Sequence, residues 1–413
     1  MLLTLAWRNI WRNKRRSLII IAAIAIGLLC GLFASAVMFG MADSFVSSTI
    51  DRDLGHIQIH TKTFEDDKLL TDTIPEAKKI HADINVHESL SGASARMIIE
   101  GMISSATSSG GVRITGINAA DEKNITSIHQ QIVDGGYFDS DESNQILLGY
   151  KLADNLGIRE RSKVVLSFQG LDSEIIYGAF RVTGIFRTES TMFDRSTVFI
   201  HESDLLTLLG YDQSSDQPGL GSIYHEIVIK LNSVMDVDTL HSQIKSKYEH
   251  LSVQSWKELS PDVKLMDEMV GIQLNIFLGI ILFALLFGIT NTMLMSVLER
   301  VREFGVLMAI GMKRRRVFIM IITETITLSL VGGVVGMILA SFTIAYFGYT
   351  GIDLSAFAAG FSEWGLESIL YPMLPINFYI SITIMILFTA VISAVYPALK
   401  AIRLKPADAI RTF

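Results

Sequence analysis

The 413-residue sequence contains a single cysteine, only 7 prolines and few charged residues, 19% of the total. One cysteine excludes a disulfide framework within the chain. Half of the residues are hydrophobic and the mean hydropathy is +0.41, which is too apolar for an ordinary soluble protein of this length. A membrane protein is therefore the first class to consider.

Sequence motifs for nucleotide and hydrolytic chemistry are also missing. The chain has no GxxxxGK[ST] phosphate loop, no GxGxxG after a predicted strand, no HExxH and no GxSxG. We therefore expect a chain that is not an enzyme, with no catalytic residue, no metal and no cofactor of its own. His56 and His60, four residues apart on one predicted strand, could share a face, but no third ligand is indicated and half-exposed strand histidines are the more ordinary interpretation.

Four apolar runs contain no Lys or Arg, and they cover residues 17–41, 270–298, 317–347 and 376–399. At 1.5 Å per residue, each run is long enough to cross a hydrocarbon core of about 30 Å as a helix. The sequence therefore predicts four transmembrane helices. Cys30, in the middle of the first run, is expected to be an inert, packed residue of a retained helix.

The distribution of basic residues predicts the orientation of these helices. Lys and Arg are frequent in residues 1–16, 299–316 and 400–413 and absent from residues 348–375, so the positive-inside rule places the first three segments in the cytoplasm and the last outside. Residues 42–269 carry 20 basic and 35 acidic side chains and form a large domain on the outer side. Its net charge of −15 argues against nucleic-acid binding.

Residues 42–269 have the alternation of strand-like and helix-like runs that is typical of an α+β domain. Strands are predicted at 55–60, 95–103, 112–117, 163–168, 179–186, 197–200 and 225–231, and helices begin near Pro75, Gly149, Glu202 and Val237. Ser260 and Pro261 fit a helix start, and no helix breaker follows before Arg302. That helix of about 38 residues would be roughly 57 Å long, so about half of it is expected to stand outside the bilayer as a stalk.

Small residues at four-residue intervals mark two of the predicted membrane helices. Gly27 and Gly31 lie in the first, and Gly332 and Gly336 in the third, where they would let helices pack closely. Glu324 is a carboxylate inside the third apolar run, and it could serve either as a proton or substrate contact or as a structural hydrogen bond near the cytoplasmic headgroups.

The segment between the second and third runs is amphipathic and basic. Val301, Phe304, Leu307, Met308 and Ile310 fall largely on one side of a predicted helix. Either this helix lies on anionic membrane lipid, or it docks a cytoplasmic partner, and charge and amphipathicity alone leave both interpretations open.

Four stretches of the sequence resemble one family. ERVREFGVLMAIGMKRRRVFIMIITETITLSLVGGVVG, LAWRNIWRNKRRSLIIIAAIAIG, LLGYKLADNLGI and YPALKAIRLKPADAIR are similar to the FtsX/MacB/LolC-LolE superfamily of ABC transporter permeases, the mechanotransmission type VII. The resemblance implies an α-helical membrane protein with four transmembrane helices and a large α+β extracytoplasmic domain, a MacB-like periplasmic core, inserted between helices 1 and 2. It also implies a bacterial inner-membrane location with both termini in the cytoplasm.

The resemblance further implies partners and contact residues. A LolD/MacB-like ABC ATPase dimer, a separate component, would bind ATP and Mg and would drive a pair of permeases made of two copies or of one copy and a paralogue. The segment after the second membrane helix resembles a coupling helix that sits in a groove of the ATPase. Its contact surface would consist of Glu299, Arg300, Arg302, Glu303, Phe304, Gly305, Leu307, Met308, Ile310 and Gly311.

Within the superfamily, the sequence looks most like the lipoprotein-releasing LolC/LolE type. The outer domain is larger than that of cell-division FtsX proteins, and GHIQIH shortly after the first membrane helix resembles the LolC/LolE group. We therefore expect release of lipoproteins or export of another lipophilic cargo, with a periplasmic carrier as a further partner. A MacB-like efflux permease and a transducer that regulates a periplasmic partner without transport are the alternatives.

Overall fold

A computed structural model describes residues 14–64, 68–87, 89–138, 142–211, 223–363 and 365–403. The first part of the predicted cytoplasmic N-terminus and the tail from residue 404 lie outside the described residues. The described chain divides into two compact units, residues 14–42, 268–353 and 369–403 in the first and residues 43–267 and 354–368 in the second. We call the first the membrane unit and the second the α+β domain.

The α-helices of the described residues include four that are much longer than the others. In chain order the helices are α1 Lys14–Thr49, α2 Ala77–Ile84, α3 Ala119–Glu122, α4 Tyr150–Leu156, α5 Thr191–Ser196, α6 Glu202–Leu208, α7 Val237–Lys247, α8 Trp256–Leu259, α9 Pro261–Glu299, α10 Val301–Ala309, α11 Arg314–Thr350, α12 Ala358–Glu363 and α13 Ile376–Ile402. A π-helical turn, Ile50–Leu54, follows α1 directly.

The membrane unit is built from the long helices α1, α9, α11 and α13. All four are long and apolar enough to cross a membrane, as predicted. Helix α9 has 39 residues, so it is far longer than a bilayer requires, and it begins at the predicted Pro261. Aliphatic side chains from the four helices form one buried cluster, which includes Ile24, Leu28, Leu282 and Ile321.

The strands of the α+β domain form one ten-stranded sheet, and two further short strands pair in the loop before α13. The strands are β1 Ile57–His60, β2 Leu90–Ser104, β3 Ser109–Ile117, β4 Ile132–Gly135, β5 Gln145–Gly149, β6 Lys163–Gln169, β7 Ile175–Phe186, β8 Thr197–His201, β9 Glu226–Leu231, β10 Ser252–Ser255, β11 Ile352–Asp353 and β12 Ile369–Leu370. The large sheet has the order β10-β1-β9-β2-β3-β8-β5-β7-β4, and β6 pairs with both β2 and β7.

Strand β2 joins two parts of this sheet. Its first half, Leu90–Arg96, pairs with β9, and its second half, from Met97, pairs with β3 on one side and with β6 on the other. The pairings β2-β3-β8-β5-β7-β6-β2 therefore close into a ring. A closed ring leaves no free strand edge, and side chains fill a small barrel of this kind.

The strands contribute to the hydrophobic core of the α+β domain in two ways: β6 alternates buried and more exposed residues, whereas β1, β5, β8 and β9 are buried at nearly every residue. In β6 the residues Val164, Leu166 and Phe168 are buried, while the intervening residues are exposed or partly exposed. Many buried side chains of β2, β3, β5, β7 and β8 belong to the same cluster as those of β6, which also includes residues of α2, α4 and α7. A second, smaller cluster contains Ile117, Leu147, Phe186 and Phe199 of β3, β5, β7 and β8. The predicted strands and helices all occur, whereas β4, β5 and β10 were not predicted.

The loop before α13, predicted as an outer loop over residues 348–375, contributes a segment to the α+β domain. Residues 354–368 group with residues 43–267, so they form part of the α+β domain. The antiparallel pair β11–β12 closes the base of this loop, with Ile352 opposite Leu370.

Candidate functional site

Helix α10 is the element in which the predicted coupling residues lie. It is separated from α9 by Arg300, whose φ of −102° and ψ of 14° interrupt the helical path. At the other end Gly311 has a φ of 101°, a conformation that glycine adopts without strain. The chain then enters α11 at Arg314, so α10 is a short separate helix between two membrane helices.

An ion pair anchors the start of α10 to the membrane unit. The Nη1 atom of Arg300 donates to both carboxylate oxygens of Glu324, at 3.1 and 3.0 Å, and its Nε donates to Glu303 at 3.0 Å. The guanidinium also lies 5.1 Å from the ring centre of Phe304. Both Arg300 and Glu324 are buried. Of the two interpretations of Glu324, the geometry matches the structural one, because its carboxylate is engaged by an arginine.

Burial divides the predicted contact surface into two groups. Phe304 is only 1% exposed, and Arg300 and Gly305 are also buried, so these three residues hold α10 in place within the chain and do not form a surface. The apolar side of α10 that contains Phe304 packs into the membrane unit, so a contact of these three residues with an ATPase remains a prediction. Leu307 and Met308 pack partly against the same cluster. The exposed members of the set are Glu299, Arg302, Glu303, Ile310 and Gly311.

Two apolar side chains are exposed here, one on α10 and one at the residue that directly follows it. Ile310 is 80% exposed and Val306 is 43% exposed. Val306 was not among the predicted contact residues, although its spacing of four residues from Ile310 places both on one helix face. The candidate site is therefore an apolar pair, Val306 and Ile310, bordered by the charged residues Glu299, Arg302 and Glu303.

The structure places the four predicted packing glycines at helix contacts. A Cβ atom at Gly31 would lie 2.6 Å from the side chain of Ile281 on α9, and one at Gly336 would lie 2.9 Å from the backbone of Ala25 on α1. Gly27 faces Leu285 and Gly332 faces Ile24 in the same way. Helix α1 thus packs against both α9 and α11 through positions where a larger side chain would collide.

The histidines that the sequence analysis considered are buried, not half-exposed. The Nδ1 atom of His56 accepts a hydrogen bond from the backbone N–H of Leu231, and Nε2 of His60 is 3.0 Å from the side-chain oxygen of Gln58. Burial lowers the pKa of His56 below its usual value. Among the described residues, no group of three or more His, Cys, Asp or Glu side chains is arranged to hold a metal ion.

An ionic cluster in the α+β domain was not anticipated from the sequence. Arg96, fully buried on β2, binds both carboxylate oxygens of Glu122, at 2.7 and 3.2 Å, and one of Glu226 at 2.8 Å. Its Nη1 also donates to the backbone oxygen of Asp53, 2.8 Å away, and Arg113 binds the Asp53 carboxylate at 2.9 Å. Because Asp53 lies in the π-helical turn after α1, this cluster fixes the end of α1 to the sheet.

Comparison with known families accounts for most of the chain. The family model of the MacB-like periplasmic core domain matches residues 17–247, and that of the FtsX-like permease C-terminal region matches residues 275–406. The first covers more than half of the chain. The chain therefore belongs to the ABC transporter permeases that combine a MacB-like periplasmic core domain with an FtsX-like membrane region.

Individual relatives are similar over shorter stretches. An uncharacterized ABC transporter permease, YvrN of Bacillus subtilis, is 28% identical over 187 residues, 43% of this chain and 40% of that protein. The macrolide export ATP-binding/permease protein MacB of Chlorobium luteolum is 33% identical over 124 residues, 30% of this chain and 16% of that protein. The periplasmic region of MacB from Actinobacillus actinomycetemcomitans aligns with 53% of this chain and 94% of that structure, with 12% identity and a TM-score of 0.34.

Proposed function

We propose that this chain couples ATP hydrolysis by a separate ABC ATPase to movements of its α+β domain on the outer side of a bacterial inner membrane, and that these movements act on a lipophilic cargo. The observation that carries the proposal is helix α10. It leaves Val306 and Ile310 exposed on the chain, while the buried Arg300–Glu324 pair and Phe304 hold its other side. A short helix that is rigidly anchored and apolar at its exposed face suits a surface that must transmit force from a docked partner.

The ionic cluster around Arg96 supports transmission at the other end of α1. Helix α1 runs without interruption from Lys14 to Thr49, and Asp53 just beyond it is bound by both Arg96 and Arg113. Hydrogen bonds between charged groups are stronger than those between neutral groups, so Asp53 is held firmly to the sheet. A movement of α1 would therefore reach β2 and β3 directly.

The cargo is proposed at the level of chemical class. A lipoprotein or another amphiphile fits a permease of this family, and the sequence resemblance to LolC and LolE favours lipoprotein release. MacB-like efflux of a small amphiphile is the alternative, and the name of the MacB relative, a macrolide exporter, favours it. A transducer that regulates an outer partner without transport is the third candidate.

The coupling assignment is tested by single substitutions on the exposed face of α10. Val306→Asp and Ile310→Asp should each lower the amount of ABC ATPase that co-purifies with the tagged full-length chain about tenfold, because a charge would be buried in the interface. Tyr349→Asp, at an exposed apolar position at the far end of α11, is the matched control and should leave co-purification unchanged. Normal recovery of the ATPase with both α10 variants would refute the assignment.

The cargo classes are separated by the ATPase activity of the purified complex in nanodiscs. Acylated lipoprotein should raise the activity at least twofold if the complex releases lipoproteins, and a non-acylated form of the same protein is the control. Stimulation by a macrolide alone would favour the efflux alternative. If neither amphiphile changes the ATPase rate and a stable outer partner co-purifies, the result would favour the transducer interpretation and contradict transport.

A further inference from the structure

The loop between α11 and α13 contains a segment that is folded onto the α+β domain. Residues 354–368, which we call the strap, begin and end together, since the backbone N–H of Leu354 donates to the carbonyl of Ser368 at 2.8 Å. The strap includes α12, which contacts α5.

Several contacts between the strap and the rest of the α+β domain lie around Gly365. Gly365 is buried and has a φ of 71°, and its carbonyl oxygen accepts a hydrogen bond from the hydroxyl of Ser48 at 3.4 Å. A Cβ atom at this glycine would lie 3.6 Å from Cβ of Ser190 and 3.7 Å from Nη1 of Arg52. The docking site thus consists of the end of α1 and the residue that caps α5.

Arg52 is buried under the strap with part of its hydrogen-bonding capacity unused. Its Nη2 donates to the hydroxyl of Thr49 at 3.4 Å, and its guanidinium lies 5.5 Å from the ring centre of Phe193. Its Nε and Nη1 have no hydrogen-bond partner among the described residues. Buried donors without acceptors destabilise the state that contains them. Lifting Gly365 away would open Nη1 to water, so the docked state carries a penalty that release removes.

The carboxylates around the strap add a second free-energy penalty to the docked state. Burial raises the pKa of Glu367, on the strap, and the nearby carboxylate of Glu189 raises it further, while a hydrogen bond with Ser44 partly opposes both effects. Burial also raises the pKa of Asp194 to about 7. The carboxylates of Asp53, Glu189 and Asp194 lie close enough to Arg52 for electrostatic interaction with its guanidinium. Ionisation of Glu367 therefore places a second negative charge beside Glu189 in the docked state.

We propose that the strap is releasable, docking on Ser48, Arg52 and Ser190 in one state of the protein and leaving them in another. Docking favours protonated Glu367, so it is strongest below the ordinary pKa of a glutamate and weakens as the pH rises through the raised value. In the proposed permease function, release would change how the loop between the third and fourth membrane helices restrains the α+β domain.

Thiol labelling of the full-length chain in nanodiscs tests release without any need for ATPase or cargo. In a Cys30→Ala background, Ser48→Cys places a thiol beneath Gly365, and Ser47→Cys, the next residue of α1, places one at an exposed position as the matched control. The ratio of the two maleimide reaction rates gives the protection by the strap, and the exposed thiol corrects for the effect of pH on the reagent.

We expect a protection that rises at least threefold when the pH is lowered from 8 to 5. Adding Glu367→Gln should raise the protection at pH 8 by about threefold to tenfold and flatten its pH dependence, because the like charges beside Glu189 are then removed. A protection near one at every pH would show that the strap is not docked. Complete protection that neither pH nor Glu367→Gln changes would show a fixed strut. Either result overturns the proposal.

A disulfide tests whether release matters for turnover. The 3.6 Å between the Cβ positions of residues 190 and 365 lies within the range of disulfides, so Ser190→Cys with Gly365→Cys should cross-link on mild oxidation. Ser190→Cys with Gly360→Cys is the control, since no atom lies within 4 Å of a Cβ at Gly360. Cross-linking should lower cargo-stimulated ATPase activity at least fivefold, with recovery on reduction. Full activity of the cross-linked complex would contradict a need for release.

The labelling experiment does not depend on ATPase or cargo, so its result would remain valid even if the proposed permease function were wrong.

Discussion

At the scale of single residues, the pairing of Arg300 with Glu324 explains why a carboxylate can lie in an apolar helix. An unpaired charge in a membrane helix is costly, and the usual solution is a partner inside the protein. Glu324 could be singled out from the sequence because it is the only acidic residue in its apolar run. Its partner could not, because Arg300 lies 24 positions earlier, between α9 and α10, and only packing brings the two side chains together.

Removing one member of this pair should destabilise the membrane unit more than removing both. Arg300→Met leaves the buried Glu324 carboxylate without this partner and should lower the free energy of unfolding by about 3 kcal/mol. Glu324→Gln leaves Arg300 with Glu303 alone and should cause a smaller loss. The double variant Arg300→Met with Glu324→Met should recover most of that loss, because no buried charge remains. Unfolding in mixed detergent micelles measures all three. Additive losses in the double variant would show that the two side chains do not interact.

The α+β domain should lose stability in mild acid because of buried histidines. Nδ1 of His225 accepts from the N–H of Ile98, and its Nε2 is 3.1 Å from the carbonyl of Leu70, an arrangement that requires the neutral ring with its proton on Nε2. Burial lowers the pKa of His225 below 6.5. The stabilisation is present above 6.5 and is lost as the pH falls through the lowered pKa in the folded protein.

Thermal unfolding of the full-length protein between pH 7.5 and 5 measures this effect. The melting temperature should fall with the pH, and His225→Gln should be less stable at pH 7.5 but should show a weaker decline. An equal decline in the two proteins would mean that His225 does not contribute to the acid sensitivity.

At the scale of helices, the glycines of the membrane unit fall into two classes that their sequence spacing does not fully separate. Gly336 lies against the backbone of Ala25, whereas no atom lies within 4 Å of a Cβ at Gly279. Gly336→Ala should therefore lower the free energy of unfolding by about 1–3 kcal/mol, because the helices must move apart. Gly279→Ala, with the same chemical change, should cause no loss. Equal effects of the two substitutions would contradict the packing assigned to Gly336.

The elements themselves were predictable where a long periodic pattern specifies them. The four membrane helices follow from apolar length, and strands such as β6 follow from alternation. Strand β1 is equally short but alternates, with the sequence IQIH, whereas β4 (IVDG) and β10 (SVQS) have no such apolar alternation, and β5 runs directly into α4. Helix α10 was found by its amphipathicity, but the side that carries Phe304 was assigned to the partner when it packs into the chain. Periodicity identifies an apolar face and does not say what covers it.

At the scale of the whole molecule, the strap shows what sequence patterns cannot supply. Residues 354–368 were predicted as part of an outer loop because they lack basic residues, and that composition carries no information about contact with residues 48, 52 and 190. These contacts join residues more than 150 positions apart, and they depend on the closed ring of strands and on the π-helical turn after α1. Neither feature has a local sequence signature, so residues 354–368 were not predicted as part of the α+β domain.

The orientation of the chain in the membrane is the prediction on which the proposed coupling rests. In a Cys30→Ala background, Met235→Cys, at a 92% exposed position of the α+β domain, should react with a membrane-impermeant maleimide on cells whose inner membrane is intact. Ile310→Cys, on α10, should react only after that membrane is permeabilised, because the basic residues of the 299–316 segment favour the cytoplasmic side. Both thiols are highly exposed, so a difference in labelling reports the side of the membrane and not burial. Labelling of Ile310→Cys on intact spheroplasts would place α10 outside, where no nucleotide-hydrolysing partner could dock, and would refute the proposed coupling.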